Sequence, residues 1–395
     1  MQTNKMQKLP NGWQIKTIGE VCEKISAGGD RPDDCTPEKT EENQIPIFAN
    51  GVKNNGLYGY TKTPIITKPA LTVSARGTIG FACIRYEPFF PIVRLICAIP
   101  NDKILVLEFL YYALQYVIPQ GEGSSIPQLT IPNFKQIKIP IPPLEEQKRI
   151  ASGISKIDAY LENTIKLIEE KERFKKGISK KLLTCKEGEN VPEMRFKEFN
   201  DKWETVKLGD MFDNFTERNN EDKILLASTR DKGVIPNSLT ERKVIRKKES
   251  LSNYKLVKKG CFVISLMSFQ GGFEYSNYEG IISPAYTVLK PKIEMAHIFY
   301  KYYFKSYKFI KDLRPYAEGI RHGKQIKFNA CKDILVPYPS IKEQENIGKF
   351  LSLLDSEIDN LKEQKEEIKK MKKGIINKLM SGEIRLDKNS TLIDC

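Results

Sequence analysis

The 395-residue chain contains no long uninterrupted hydrophobic run. No apolar stretch approaches the roughly 18 residues that a membrane-spanning helix requires. Its first residues, Met1 to Lys5, lead into no apolar signal core. From these two observations we expect a cytoplasmic protein without a membrane partner.

Residues that commonly bind metals are few and scattered. The chain has eight cysteines, none of them in a CxxC pair, and only two histidines. A structural zinc site needs clustered cysteine and histidine ligands, so the sequence predicts no metal site. With no secretion signal, we expect reduced thiols rather than disulfides.

Catalytic motifs are also missing from the sequence. We find no Walker A loop, no HExxH, no GxSxG, and no GxGxxG after a predicted strand. The string nearest to an adenine methyltransferase motif, Ser283 to Tyr286, lacks the amide and the second proline. We therefore expect a protein without an active site and without a bound cofactor.

Positive charge is present in excess. The formal net charge is +14 and the sequence pI is about 9.2. Lysine and arginine release condensed counterions from phosphates, so this balance favours a polyanionic partner such as nucleic acid. A ribosomal, membrane-surface or merely solubilising role for the charge stays open at this point.

The most informative feature is an internal repeat. Pro337 lies 197 positions after Pro140, and the same spacing relates Ile347 to Ile150 and continues for some forty residues. Near the start of each copy the spacing is 190, as between Trp13 and Trp203. The chain is thus two copies of one plan, each a globular part followed by a rod. The seven-residue difference falls between Gly19/Gly209 and Gln128/Gln325.

The rods predict two coiled-coil helices, each beginning after a proline-rich stop at Pro140 to Pro143 or at Pro337 to Pro339. A narrow apolar seam with charged flanks is typical of a coiled coil. Because the second globular part lies between the two rods in sequence, the chain must travel out and return, so we expect the rods to pair antiparallel. The predicted seam residues are Ile150, Ile154, Ile157, Leu161, Ile168, Ile178, Leu182, Ile347, Leu351, Leu354, Ile358, Leu361, Ile368, Ile375 and Leu379.

The globular parts predict a mixed α+β fold. In the first copy, strands are expected at 45–49, 70–74, 81–85 and 91–99, and a helix at 105–116. In the second copy, strands are expected at 261–267 and 281–289, and a helix at 297–309. Turn signals separate these elements.

Three kinds of segment could contact nucleic acid, because asparagine and arginine read base edges and lysine binds phosphates. They are the polar turns of the first copy, a basic stretch in the second, and the glycine-rich segment before each proline stop. An ordinary turn or a solvated face remains an alternative for each residue. The candidates are Asn50, Lys53, Asn54, Asn55, Tyr58, Arg76, Thr78, Gln128, Arg230, Lys232, Arg242, Lys243, Arg246, Lys247, Arg321, His322, Lys324 and Gln325.

These features together resemble a known family. The segment Ile139 to Ile150, followed by a long charged helix ending in Lys-Lys-Leu-Leu, is similar to the specificity subunit of type I restriction–modification enzymes. The opening segments, Gly12 to Gly19 and Trp203 to Gly209, are also typical of that family. Ser340 to Glu343 departs from the usual Pro-Leu-x-Glu but retains Glu343 and Gln344.

The resemblance implies an α+β fold with two similar target recognition domains, separated by a long antiparallel two-helix coiled coil in a pseudo-two-fold repeat. The expected domains are 1–143 and 186–340 for recognition, 144–185 and 341–382 for the helices, and 383–395 for a tail. Each recognition domain would bind one half of a split, asymmetric DNA site.

The resemblance also implies the partners. The helices would set the spacer and dock two methyltransferase subunits, which carry S-adenosylmethionine, and restriction subunits would bring ATP and Mg²⁺. A coiled-coil interaction protein and an enzyme with an unrecognised nuclease site are the competing hypotheses.

Overall fold

The computed structural model describes residues 9–117, 128–186, 188–240, 251–265, 272–318 and 325–386. The chain forms two compact units. Unit 1 comprises the residues up to Ile165 together with those from Glu363 onward, and unit 2 comprises Lys166–Lys362. Each unit therefore contains one globular part and a portion of each long helix.

Unit 1 is built on a four-stranded antiparallel sheet in the order β2-β8-β5-β6, with a smaller sheet in the order β4-β3-β7. A separate pair, β1 with β9, joins the beginning and end of the globular part. The elements are β1 (Gln14–Thr17), α1 (Ile18–Val21), β2 (Cys22–Ala27), β3 (Ile45–Phe48), β4 (Leu57–Thr61), β5 (Ala70–Val73), β6 (Ala82–Arg85), β7 (Phe90–Pro91), β8 (Ile96–Pro100), α2 (Leu107–Val117), α3 (Ile131–Lys135), β9 (Lys138–Ile141) and α4 (Leu144–Leu183).

Unit 2 has the same framework. Its four-stranded sheet runs β11-β18-β15-β16, and β10 pairs with β21 as β1 pairs with β9. Its elements are β10 (Glu204–Lys207), α5 (Leu208–Met211), β11 (Phe212–Phe215), β12 (Leu226–Thr229), β13 (Gly233–Pro236), β14 (Lys255–Val257), β15 (Phe262–Ile264), β16 (Phe273–Tyr275), β17 (Gly280–Ile282), β18 (Thr287–Pro291), α6 (His297–Tyr303), α7 (Tyr307–Leu313), β19 (Ala317–Glu318), β20 (Gln325–Ile326), α8 (Phe328–Cys331), β21 (Leu335–Tyr338) and α9 (Ile341–Met380).

The two long helices pair antiparallel within each unit. In unit 1, Lys372 of α9 lies 2.5 Å from Asp158 of α4, and in unit 2 Lys175 of α4 pairs with Asp355 of α9. Asp355 and Lys372 each lie 197 positions after the matching residue of the other pair. The predicted α+β class and internal repeat are confirmed.

None of the predicted seam residues is exposed: every one of them is buried or half-buried. Ile150 and Ile154 pack in the core of unit 1, while Ile347 and Leu351 pack in that of unit 2. Ile376 and Met380, which the heptad pattern did not indicate, are also buried. Near Ile376 and Met380 the apolar surface of α9 is therefore broader than the coiled-coil seam, and it packs on the globular core of unit 1.

A buried carboxylate near the start of each long helix attaches it to the globular part. Glu146 accepts hydrogen bonds from the Trp13 indole at 3.1 Å and from Arg385 at 2.7 and 3.0 Å. Glu343 accepts matching bonds from the Trp203 indole at 3.0 Å and from Arg195 at 2.7 Å. We call these the tryptophan–glutamate–arginine clusters. The hydrogen bonds from tryptophan and arginine offset the cost of burying each carboxylate charge.

The adjacent glutamine binds the residue that precedes α2 in unit 1 and α6 in unit 2. The side-chain oxygen of Gln147 accepts from the Val106 backbone N–H, and that of Gln344 accepts from the Ala296 N–H, both at 2.9 Å. The side-chain nitrogen of each glutamine donates to a proline carbonyl of the preceding stop. The Glu-Gln pair of each repeat thus attaches the long helix to three segments. They are the segment that carries the tryptophan, the segment that carries the arginine, and the segment that precedes α2 or α6.

Two predicted strands are wrong in extent. The stretch 91–99 is divided, because Val93 and Arg94 adopt φ of +53° and +59° and turn the chain between β7 and β8. The stretch 281–289 is likewise divided between β17 and β18. Val93 and Arg94 carry no turn signal, so the sequence does not reveal the first break. Pro284 lies at the second break and is a strand-breaking residue, so the expectation of one strand over 281–289 gives it too little weight.

The predicted aromatic helix over 297–309 is also wrong in extent. It is two helices, α6 and α7, and the Ser306 hydroxyl caps the second by accepting from the Phe309 N–H at 3.3 Å. Ala296 lies 190 positions after Val106, whereas Ile326 lies 197 after Leu129. The net seven extra residues of unit 2 therefore fall in and after this helical region.

We expect the cluster around Glu343 to contribute strongly to stability. Glu343→Ala leaves the guanidinium of Arg195, whose side chain is only 12% exposed, and the Trp203 indole without their acceptor. The expected loss in the free energy of unfolding of unit 2 is about 3–5 kcal/mol. Urea unfolding followed by tryptophan fluorescence measures it.

Glu345→Ala is the matched control. Glu345 pairs with Lys349 one turn away on the surface of the same helix, so its replacement should cost below about 1 kcal/mol. Equal unfolding midpoints for the two variants would contradict the assignment.

Candidate nucleic-acid interface

In unit 1, the loop after β3 meets the turn after β5. The side-chain oxygen of Asn50 accepts from the Ala75 N–H at 2.8 Å, and its side-chain nitrogen donates to the Val93 carbonyl at 2.5 Å. The Gly51 N–H donates to the Ser74 hydroxyl at 3.4 Å. Segments that are far apart in sequence therefore form one surface.

The glycine-rich segment before α3 joins the same surface. The Arg76 guanidinium donates to the side-chain oxygen of Gln128 at 3.3 Å, and the Leu129 N–H donates to the Ala75 carbonyl at 3.0 Å. We call residues 50–58, 74–80, 92–95 and Gln128 the unit 1 loop surface. It brings together all the candidate contacts that the sequence placed in the first copy.

These candidates differ in the exposure of their side chains and in whether the polar groups are already bonded within the protein. Lys53, Asn54, Asn55, Tyr58, Arg76 and Thr78 are exposed, while Asn50 and Gln128 are half-buried. Both ends of the Asn50 amide are bonded to backbone atoms, so this side chain shapes the loop. The exposed group can present amide, guanidinium and ammonium donors to a partner.

Backbone strain is concentrated on this surface. Asn54 and Asn55 have φ of +48° and +52°, and Val93 and Arg94 are also left-handed. A valine in this region is a true outlier, and such residues persist only where surrounding bonds hold them. The surface is therefore shaped by its neighbours, not by local preference alone.

Arg85 supports the loop from beneath, and sequence reasoning missed it. Its guanidinium donates to the Asn55 carbonyl and, at 3.2 Å, to the Thr72 hydroxyl, and it lies 3.6 Å over the Phe48 ring. Burial lowers the pKa of Arg85. Its position on a β-strand carries no signal that would mark it in the sequence.

Unit 2 places two of the candidates, Arg230 and Lys232, on the turn between β12 and β13. Both side chains are exposed, and the Lys232 N–H donates to the Thr229 hydroxyl at 3.2 Å. Gln325 lies in β20. The other candidates lie outside the described residues: Arg242, Lys243, Arg246, Lys247, Arg321, His322 and Lys324.

A buried ion pair lies beside that turn. The Lys305 ammonium contacts the Glu274 carboxylate and donates to the Arg230 carbonyl at 3.0 Å. Burial raises the pKa of Glu274 to about 7, and the nearby Lys305 opposes that shift. Cys83 holds the equivalent position on β6 of unit 1, so the pair distinguishes the two units.

A polar recess of about 260 Å³ opens at the end of the unit 2 sheet. Asn214, Ser265, Thr287 and Asn329 supply amide and hydroxyl groups to its lining, and Phe328 supplies an aromatic ring. In the matching registers, Thr287 stands where unit 1 has Ile96, and Asn329 stands where unit 1 has Pro132. The two units thus differ in the polarity of this place on the same framework.

Comparison with known proteins assigns the family. The model of the type I restriction–modification DNA specificity domain matches residues 10–170 and again residues 200–370. The chain belongs to this specificity family. Each match includes one globular part and most of one long helix, so the repeat found in the sequence is a repeat of the family's domain.

Relatives of this specificity-family chain carry consistent names. A protein of Methanocaldococcus jannaschii named as a type I restriction enzyme specificity subunit is 29% identical over 96% of this chain and 95% of its own length. Two Mycoplasma pneumoniae proteins named as type I specificity subunits are 38% and 36% identical over 36% of this chain. The chain spans about two fifths of the length of these two.

Solved structures agree on the fold. The S subunit of a type I restriction–modification system from M. genitalium superposes with a TM-score of 0.57 at 19% identity, over 95% of this chain and 98% of that one. At this identity the likeness establishes the architecture of the specificity family and nothing finer.

Two features are absent from the part of the chain that the structure describes. Its residues form no group of three or more histidine, cysteine, aspartate or glutamate side chains that could hold a metal ion. Among the helices of the described residues, none is long and apolar enough to cross a membrane.

The Glu274 carboxyl predicts a specific pH dependence. Its pKa is raised to about 7, so between about pH 5 and 7 the folded chain keeps a proton that the unfolded chain releases. The free energy of unfolding of unit 2 should therefore fall by about 2–3 kcal/mol from this group as pH rises through that window. Glu274→Gln should lack this component in urea titrations at several pH values.

Glu279→Gln is the control, because Glu279 is a surface carboxyl paired with Lys223 in the same unit. It should retain the wild-type dependence. If the free energy of unfolding of Glu274→Gln changed with pH as that of the wild type does, Glu274 would not titrate in this range.

Proposed function

We propose that this chain is the non-catalytic DNA specificity subunit of a type I restriction–modification system. Each unit binds one half of a bipartite, asymmetric site on double-stranded DNA. The paired helices set the spacer and dock two methyltransferase subunits, through which restriction subunits join. S-adenosylmethionine, ATP and Mg²⁺ are bound by those partners, and the complex acts in the cytoplasm, where the DNA is.

One observation carries the proposal: both units share a framework and differ in their loops. The sheet order, the tryptophan–glutamate–arginine clusters and the Glu-Gln contacts recur in each unit. Where unit 1 presents Asn54, Asn55 and Arg76, unit 2 presents the Arg230 to Lys232 turn and a polar recess. Two different surfaces on one framework suit a two-part sequence that is not a palindrome.

The chemistry of the loop surfaces supports contact with DNA. Arginine and asparagine side chains can form paired hydrogen bonds with guanine and adenine edges in the major groove. Exposed lysines bind phosphates and fix the position of the protein on the duplex. The net charge of +14 favours the same partner through counterion release.

The names of the relatives support a division of labour. A protein that matches nearly the whole chain is named as a specificity subunit of a restriction enzyme. We infer that this chain selects the sequence and that methylation and cleavage belong to other subunits.

Methylation-sensitive sequencing of the host genome tests the proposal. We expect one methylated bipartite motif, lost when this gene is deleted and restored by the wild-type gene. Purified complex with methyltransferase subunits should bind that motif in gel shifts far better than a scrambled duplex. Unchanged methylation in the deletion strain would instead favour an interaction protein without base reading.

Arg76→Ala should weaken reading of one half-site only. Arg76 is exposed on the unit 1 loop surface, and removal of its base or phosphate interaction should cost about 1–3 kcal/mol in binding to the intact motif. Gel shifts with duplexes carrying single half-site changes measure it. Lys103→Ala, an exposed lysine beyond the other end of β8, is the control and should bind as wild type.

Helix length should determine the spacer. Deleting one heptad from both α4 and α9 shortens the pair by about 10 Å, which corresponds to about three base pairs. We expect the methylated motif of that variant to keep both half-sites with a shorter spacer. The same motif with its original spacer would refute this role of the helices.

A further inference from the structure

In unit 1, one half-buried cation holds the backbone of a loop with candidate DNA contacts. Arg85 donates from β6 to the carbonyl of Asn55, next to the exposed side chains of Asn54 and Lys53. Its second donor is bonded to Thr72, and the Phe48 ring covers its face. Arg85 is thus fixed on three sides and shapes the loop without presenting its own charge as the loop residues do.

The loop held by Arg85 needs such support. Asn54 and Asn55 are both left-handed, a conformation that asparagine tolerates but does not strongly prefer. A charge-assisted hydrogen bond to the Asn55 carbonyl stabilises that conformation over alternative ones. By fixing the backbone at Asn55, the bond determines the direction in which the exposed side chains of the loop point.

In unit 2, a different residue makes the same kind of contact. Lys305, between α6 and α7, donates to the Arg230 carbonyl and is held by Glu274 from β16. Glu274 is 1% exposed, and one of its carboxylate oxygens has no hydrogen-bond partner among the described residues. A buried, incompletely satisfied pair contributes little to stability, so its position beside an exposed basic turn calls for another role.

We propose that Arg85 and Lys305 are positioning residues for DNA recognition, each fixing the backbone of one DNA-contacting loop through its carbonyl. This inference rests on the proposed function. Arg85 holds the Asn54–Asn55 turn of unit 1, and Lys305 holds the Arg230–Lys232 turn of unit 2. Side chains on a fixed backbone lose less conformational freedom on binding, so affinity falls when the anchor is removed.

The test uses the full chain in complex with methyltransferase subunits and duplexes carrying the motif found by sequencing. The first duplex keeps only the half-site to which Arg76→Ala binds more weakly. The second duplex keeps only the half-site whose binding Arg76→Ala leaves unchanged. Lys305→Met should lower affinity about 5- to 10-fold for the second duplex and leave the first unchanged. Arg85→Met should do the reverse.

Salt dependence separates positioning from a general loss of stability. The slope of log affinity against log salt decreases by about one for each phosphate that the protein no longer neutralises. Lys305→Met should therefore show a slope smaller by about one to two on the second duplex, since Arg230 and Lys232 are both affected. Lys305→Arg, which retains a cationic donor, should restore most of the affinity and the slope.

Lys308→Met is the matched control for unit 2, because Lys308 is exposed on α7 and pairs with Asp312. Lys103→Met serves the same purpose in unit 1. Both should bind each duplex as wild type does. If Lys305→Met fails to fold, Glu274→Leu/Lys305→Met replaces both partners, removes the buried charge, and should show the same reduction in affinity.

Wild-type affinity and slope in folded Lys305→Met and Arg85→Met would overturn the inference while leaving the proposed function intact. If the wild-type complex itself fails to distinguish the motif from scrambled DNA, the proposed function fails instead. A reduction in affinity that appears equally on both duplexes would also reject positioning of a single loop.

Discussion

The structure depends on a buried carboxylate near the first turn of each long helix. Glu146 and Glu343 each bind a tryptophan from the beginning of the globular part and an arginine from a segment that follows a long helix. In unit 1 that arginine, Arg385, follows α9, and in unit 2 Arg195 follows α4. Each cluster therefore joins the start of a globular part, the start of one helix and the end of the other. A desolvated carboxylate with charged and neutral donors has few alternative arrangements, which makes these junctions specific.

With the junctions fixed, the loops are free to differ. The sheets, the clusters and the glutamine contacts recur in both units, whereas the net seven-residue difference lies in and after the helical region that begins with α2 or α6. The left-handed residues Asn54, Asn55, Val93 and Arg94 all lie on the unit 1 loop surface, away from the framework. In unit 1, the contacts that recur in both units and the left-handed residues therefore lie in different parts of the fold.

One loop of each unit is held by a cation whose burial is not the arrangement that would give the highest stability. Lys305 and Glu274 would be replaced with little loss by well-packed apolar residues if folding were their only role. Arg85 is likewise partly desolvated, and burial lowers its pKa. Both cations bond a backbone carbonyl, a group that every residue of a loop carries whatever its side chain. A framework of this kind can carry many loop sequences.

The repeat, the two long helices, the seam between them and the family could all be predicted from the amino-acid order. These features follow from local spacing: heptads, proline stops and a Glu-Gln pair recur at constant intervals, and helical periodicity is a short-range property. Folding in three dimensions was needed to pair Arg385 with Glu146 and Arg85 with Asn55, and to divide the predicted strands at 91–99 and 281–289. Such contacts join residues tens to hundreds of positions apart, and a lone arginine or lysine carries no sign of its partner until the chain has folded.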